Sequence, residues 1–150
     1  MIKAIFFDID GTLVSFKNHQ IPASTIESLK KLKEKGIKIF VATGRGKDGL
    51  DILDEIEFDG YITLNGQSCY VDNQIIYENK IKRDDLQKLL NYLKDHPFPC
   101  GLTDEHNKYF NLRDARVDEI HRITLTADHP AGDCSDVVNQ QIYQCLCFLD

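Results

Sequence analysis

Asp8 and Asp10 close an apolar run and stand two residues apart. On an extended backbone that spacing puts both carboxylates on the same side. Carboxylates this close repel, and each raises the other's pKa unless a cation lies between them. Mg²⁺, hard and oxygen-seeking, is the natural cation for such a pair. One Asp then stays ionised as a nucleophile, and the other can hold a proton and serve as general acid. A bare Asp-x-Asp is also the signature of two loop-capping aspartates, so the spacing gains force only from its surroundings.

Those surroundings are strands and turns. Residues 2–7 are nearly all apolar, which predicts a strand buried on both faces. A loop follows to Gln20. Pro22 suits a first helical turn, Ser24 and Glu27 have the spacing of a capping box, and Ile26, Leu29 and Leu32 recur at helical intervals before Gly36. Residues 37–42 predict a second strand, Leu50, Leu53 and Ile56 a second helix, and residues 61–64 a third strand. Such alternation implies a parallel sheet with right-handed crossovers. Ligands of such sheets bind beyond the carboxyl ends of the strands. Those ends are Asp8–Thr12, Thr43-Gly44-Arg45 and Asn65-Gly66, all polar and glycine-bearing.

Beyond Leu64 the pattern changes to short strands at 68–71 and 74–77, a helix over 85–94, strands at 98–102 and 108–112, a short helix near Val117 to Ile123, a loop over 127–135 and a strand over 142–149. A boundary is expected near Lys80. The expected fold is α/β: a Rossmann-like core over residues 1–80 and an inserted α+β cap module over 82–150.

Phe-Phe-Asp-Ile-Asp-Gly-Thr-Leu (6–13) resembles the first motif of the haloacid dehalogenase-like hydrolase superfamily. Thr43 fits its second motif, a Ser or Thr at the end of the next strand. Ala-Thr-Gly-Arg (42–45), Thr63-Leu64-Asn65-Gly66 and the position of the cap are similar to the Cof-like branch, mostly phosphatases of sugar phosphates and related small molecules. The resemblance implies Asp8 as the nucleophile that takes the phosphoryl group, and Asp10 as the acid that protonates the leaving oxygen and then activates water. It implies Mg²⁺ bound by the Asp8 carboxylate and the Asp10 backbone carbonyl, and phosphate oxygens held by Thr43 and Gly44. Gly11 and Thr12 join the phosphate-binding set, and Gly11 and Gly44 let the backbone approach an anion. Arg45 either pairs with a phosphate oxygen or anchors its loop. Asn65 is a turn residue with a possible substrate-side contact. Gly44–Lys47 is not a P-loop, because Asp48 replaces the required Ser or Thr.

The family pattern continues with a Lys and a Gly-Asp-x-x-(Asn/Asp)-Asp motif. Both are expected past the cap, and no such acidic motif is found downstream of Thr43; Gly132-Asp133 leads into Cys134 and Ser135. The chain therefore resembles an N-terminal portion of such a phosphatase. It is expected to turn over poorly alone, and either to self-associate through the bare edge of strand 2–7 or to need a complementing segment. The other reading is a non-catalytic remnant that binds phosphate or a partner protein.

The remaining residues bound these readings. A length of 150 residues fits about one domain. The balance of 18 basic against 24 acidic residues, a net charge of −6, argues against nucleic acid or an anionic membrane as the main partner. No apolar run approaches the ~20 residues of a membrane span. Five cysteines without a Cys-x-x-Cys, and no export signal, predict reduced thiols and a cytoplasmic location. Lys30, Lys31, Lys33 and Lys35 read as a solvated helix face. Cys145 and Cys147 share a strand face and read as core packing. The five histidines have no metal-ligand spacing and are expected at the surface. Tyr109 and Phe110 should point opposite ways, one of them into the core.

Overall fold

The apolar run after Lys3 forms strand β1 (Ala4–Phe7), and β2 (Lys38–Ala42) lies parallel beside it, with Phe6 opposite Phe40. This arrangement comes from a computed structural model that describes residues 1–124 and 129–149. β3 (Gly60–Thr63) runs parallel on the far side of β2. β4 (Ser68–Val71) and β5 (Gln74–Glu78) then extend the same sheet with antiparallel pairing. The order is β1-β2-β3-β4-β5, so the sheet is mixed rather than parallel throughout. Asp72 and Asn73, which turn β4 into β5, have φ of 49° and 60°. A two-residue hairpin needs left-handed backbone at both positions, and Asp and Asn tolerate it.

Helix α1 (Ala23–Glu34) carries the chain from β1 to β2. The expected capping box does not form. Pro22, with φ fixed near −59°, starts the helix two residues too early for Ser24 to cap it, and no side chain caps that end. Inside the first turn, the Ser24 carbonyl accepts a hydrogen bond from Ser28 Oγ, and Glu27 pairs with Lys31. The other end behaves as the sequence predicts. Gly36 has φ 73°, its N–H donates to Lys33 O at 2.8 Å and the Ile37 N–H to Leu32 O at 3.1 Å. These are the two bonds of a Schellman stop.

The expected second helix is replaced by two 3₁₀ turns, Lys47–Gly49 and Asp51–Leu53. Leu50, Leu53 and Ile56 recur every three residues, which is the 3₁₀ period rather than 3.6. Gly46 and Gly49 further disfavour an α-helix. The turns still deliver Leu53 and Ile56 to the core, where they meet Ile9, Leu13, Val14, Leu29, Ile39, Val41 and Phe58. The start of β2 is tied to the loop entering β3 by Asp59, whose carboxylate accepts from Lys38 Nζ at 2.6 Å and from the Ile39 N–H at 2.9 Å.

Burial of β1 on both faces is not what the structure shows. The strand is outermost in the sheet and has no second neighbour among the described strands. Phe7 packs against the core, but Phe6 on the opposite face is 55% exposed. Its ring stacks on Phe40 at 4.8 Å. Apolar residues on both faces mark a strand made for a sheet interior, and here one face and one edge lie open.

The chain divides into two compact units, Met1–Glu78 and Asn79–Asp150. In the second, α2 (Arg83–Asp95) packs Leu86, Leu90 and Leu93 against a three-stranded antiparallel sheet in the order β7-β6-β8. Its strands are β6 (Cys100–Thr103), β7 (Lys108–Phe110) and β8 (Gln144–Cys147). Phe110 is buried, and Tyr109, half-buried, donates its hydroxyl to Asp104 at 2.8 Å. In α3 (Ala115–Thr124) the buried pair is Val117 and His121. His121 thus departs from the expected surface position: it lies one turn beyond Val117, with its ring edge-on to Phe110. Cys145 packs at the core margin, but Cys147 is exposed rather than core. The loop expected over 127–135 falls partly outside the described residues. No helix among the described residues is long and apolar enough to cross a membrane.

Candidate active site

The parallel strands β1, β2 and β3 send their carboxyl-end loops to one side of the first unit. Alternation explains the presentation of the acids. Ile9 is fully buried between Asp8 and Asp10, and the loop then curls so that Leu13 and Val14 rejoin the core. The curl is fixed by the Gly11 N–H donating to Val14 O and the Val14 N–H donating to Ile9 O, both at 2.8 Å. Asp8 remains exposed, with the Thr12 hydroxyl 3.3 Å from its Oδ2. Gly11 has φ 84°, and a methyl group there would meet the Phe16 ring at 2.6 Å. The left-handed backbone therefore favours glycine, and any side chain there would have to displace the exposed Phe16 ring.

Arg45 joins the second loop to the first. Its Nε donates to Asp10 Oδ2 at 2.8 Å, its Nη2 to Asp10 Oδ1 at 2.7 Å, and its Nη1 to Gly49 O at 3.2 Å. The side chains of Arg45 and Asp10 are 13% and 26% exposed. The hydrogen bonding of Asp10, outweighing burial, raises the Arg45 pKa above its ordinary value, so the guanidinium is charged at any working pH. Both carboxylate oxygens of Asp10 are thus engaged by one guanidinium in a two-pronged contact.

Thr43 is buried, and its hydroxyl oxygen accepts from the Arg45 N–H at 3.2 Å. The third loop is bonded to the second: the Asn65 N–H donates to Thr43 O at 3.1 Å and the Leu64 N–H to Arg45 O at 2.9 Å. Leu64, Asn65 and Gly66 all have positive φ, 52°, 55° and 90°. A leucine seldom adopts that backbone, and here its side chain is fully buried while its N–H is satisfied. The Asn65 amide faces Gly44 so closely that a methyl group on Gly44 would lie 3.0 Å from Oδ1.

The structure thus brings Asp10, Thr43, Gly44, Arg45 and Asn65 into one bonded cluster, with Asp8, Gly11 and Thr12 on the adjoining loop. Phe16, the Gly49 carbonyl and the left-handed Leu64 belong to the site's framework but obey no sequence pattern. Only Gly11 hinted at a crowded neighbour. The Asp8 carboxylate and the Asp10 backbone carbonyl are oxygen donors of the kind Mg²⁺ accepts. No three His, Cys, Asp or Glu side chains among the described residues come together as a metal cage. The donor chemistry fits a Mg²⁺ that keeps waters and substrate phosphate oxygens in its shell.

Residues 5–150 match the family model of the haloacid dehalogenase-like hydrolases. The chain is 30% identical over 151 residues to "Putative phosphatase YkrA" of Bacillus subtilis (strain 168), covering 97% of itself and 57% of that protein. It superposes on the HAD subclass IIB sugar phosphatase BT4131 with a TM-score of 0.82 and 36% identity, covering 95% of this chain and 57% of that one. The phosphatase BT1666 from Bacteroides thetaiotaomicron gives a TM-score of 0.81 and 32% identity over 94% of this chain and 53% of that one. The chain spans little more than half the length of these relatives. With the Asp-x-Asp-Gly-Thr loop, the threonine loop beside it and these matches together, the chain belongs to the haloacid dehalogenase-like hydrolases, in their Cof-like phosphatase branch.

Proposed function

We propose that this chain accepts the phosphoryl group of small phosphorylated metabolites on Asp8, the first half of an Mg²⁺-dependent phosphatase reaction. The observation that carries the reading is the exposed Asp8 at the end of β1, with Asp10 two residues on and held to the Thr43-Gly44-Arg45 loop of the neighbouring parallel strand. Phosphoryl transfer needs placement and charge neutralisation more than elaborate covalent chemistry. A bound Mg²⁺, on the Asp8 carboxylate and the Asp10 carbonyl, supplies part of that neutralisation. Thr43 Oγ and the Gly44 N–H hold phosphate oxygens. The Gly11 N–H is already given to Val14 O, so Gly11 contributes room rather than a donor. Thr12 steadies Asp8, and Asn65 lies on the substrate side. BT4131, a sugar phosphatase by description and 36% identical, supports a sugar phosphate or similar substrate.

In this reaction an Asp8 oxygen bonds to phosphorus as the leaving oxygen departs with a proton from Asp10. Asp10 then takes a proton from the water that attacks the aspartyl-phosphate. Asp10 must leave Arg45 to hold that first proton, and an incoming phosphate dianion competes for the same guanidinium. The 150 residues are proposed to be poorly active alone, in a cytoplasmic setting, without nucleic-acid or membrane partners. The same Arg45 grip on Asp10 favours the second reading, a phosphate-binding or protein-interaction module without turnover.

The two readings separate on the acid-quenched protein after incubation with an aryl phosphate and Mg²⁺. The enzyme reading requires a phosphoryl group on the Asp8 peptide, absent from Asp8→Asn. No phosphoryl group, or the same labelling in both proteins, favours the non-catalytic module.

A further inference from the structure

Strands β6 and β8 place Cys100 opposite Cys147. The adjoining Phe148 N–H donates to Pro99 O at 3.0 Å, so 100/147 is a non-hydrogen-bonded pair, where facing Cα atoms approach to about 4.5 Å. Disulfides bridge Cα separations of about 4.4–6.8 Å. The two Sγ atoms are 3.8 Å apart, both as free thiols. Cys147 is exposed, and Cys100 is completely buried beneath it. Cys145, on the same strand face, stands opposite Leu102 and has no cysteine facing it in register.

We propose that Cys100 and Cys147 form an oxidative modification site, in which the exposed thiol captures a small disulfide oxidant and the buried thiol converts the adduct into a bond between β6 and β8. The Cys147 thiolate attacks the oxidant, a mixed disulfide forms at Cys147, and one small thiolate leaves. Cys100, losing its proton, then attacks Cys147 Sγ and expels the second small thiolate. Two protein thiols are oxidised by two electrons, and one disulfide is reduced to two thiols. Burial, with the neighbouring Cys147, pushes the Cys100 thiol well above the ordinary cysteine range. That makes Cys147 the entry point and Cys100 the slower, resolving partner, since only thiolates are nucleophilic. The sulfurs close to bonding distance by side-chain rotation, because the backbones are already paired. Reduced thiols are the resting state in a reducing compartment, and the bond records an excursion from it.

The test uses the whole 150-residue chain, fully reduced and then incubated with oxidised glutathione. Thiol titration in denaturant should fall by two per chain, with no glutathione retained, and fragmentation of the joined tryptic peptides should place the link at Cys100 and Cys147. Cys147→Ser should leave Cys100 reduced, and Cys100→Ser should stop at a stable glutathione adduct on Cys147. Should either variant fail to fold, the peptide map of the wild-type chain decides alone. A persistent Cys147 adduct in that chain, a link through Cys134 or Cys145, or no reaction overturns the proposal.

Discussion

If Asp10 is the general acid proposed above, it can give a proton only after its pair with Arg45, which takes both carboxylate oxygens, opens. Its role predicts a dependence on the leaving group. Proton transfer contributes roughly 10²–10⁴-fold, so Asp10→Asn should slow Asp8 phosphorylation most with a sugar phosphate and least with an aryl phosphate. Equal losses on the two substrates, read by mass spectrometry of the quenched chain, would give Asp10 a purely structural role. The pair also holds two loops together. Arg45→Ala leaves Asp10 without its cation in a partly buried position and should cost about 1–3 kcal/mol in urea unfolding. Arg45→Lys keeps the charge but not the two-pronged geometry and should recover only part of it. Stability equal to the wild type in both variants would show the contact to be incidental. At this scale the sequence was legible in placement: Asp8, Asp10, Thr43 and Gly44 stand on adjoining loops at the carboxyl ends of parallel strands, as their position after apolar runs implied. Arg45 was not, because a guanidinium serves a phosphate or a carboxylate equally well, and only the position of Asp10 decides which. Phe16 over Gly11 was illegible for the same reason, as the contact depends on how the loop curls.

Asp59 ties the start of β2 to the loop that feeds β3. Burial raises its pKa, but the hydrogen bond from Lys38, the bond from the Ile39 N–H and the charge of Lys38 outweigh burial and hold it below the ordinary carboxylate value. A carboxylate whose folded pKa is depressed contributes stability above its unfolded pKa, and that contribution is lost as pH falls through the folded pKa. The first unit should therefore weaken in acid below about pH 4, the unfolded Asp range. Asp59→Asn should flatten that acid slope, measured by denaturant midpoints from pH 6 to pH 2.5. An unchanged slope would remove Asp59 from the acid response. Among the elements, strands and the Gly36 stop were readable because each follows a local rule, alternation or left-handed backbone. The segment after Gly46 was misread because spacing by three fits an imperfect α-helix as well as a 3₁₀ turn. The cap of α1 was misread because the helix starts two residues earlier, at Pro22 rather than Ser24. The continuation of the sheet through β4 and β5 depended on pairing between distant strands, which no local pattern encodes.

One face of the five-stranded sheet is closed by α1 and the 3₁₀ turns, while the β1 edge and the Phe6 side remain open. An open, apolar edge is a template for another strand. If β1 recruits a second copy, light scattering should show a mass that rises with protein concentration. Lys substituted for Phe6 should lower that mass, since a charge on the exposed edge opposes strand pairing. A single monomer mass at every concentration for the wild-type chain would exclude this edge as an interface. The carboxyl end of the same strand carries Asp8, which ties assembly to chemistry. If pairing holds β1 in place, whatever binds the edge stabilises the loop that presents Asp8, the proposed nucleophile, by an amount set by the ratio of its free concentration to its dissociation constant. The phosphorylated fraction of Asp8 would then be a collective quantity: diluting the protein, with substrate held constant, would lower the yield per chain as surely as removing substrate.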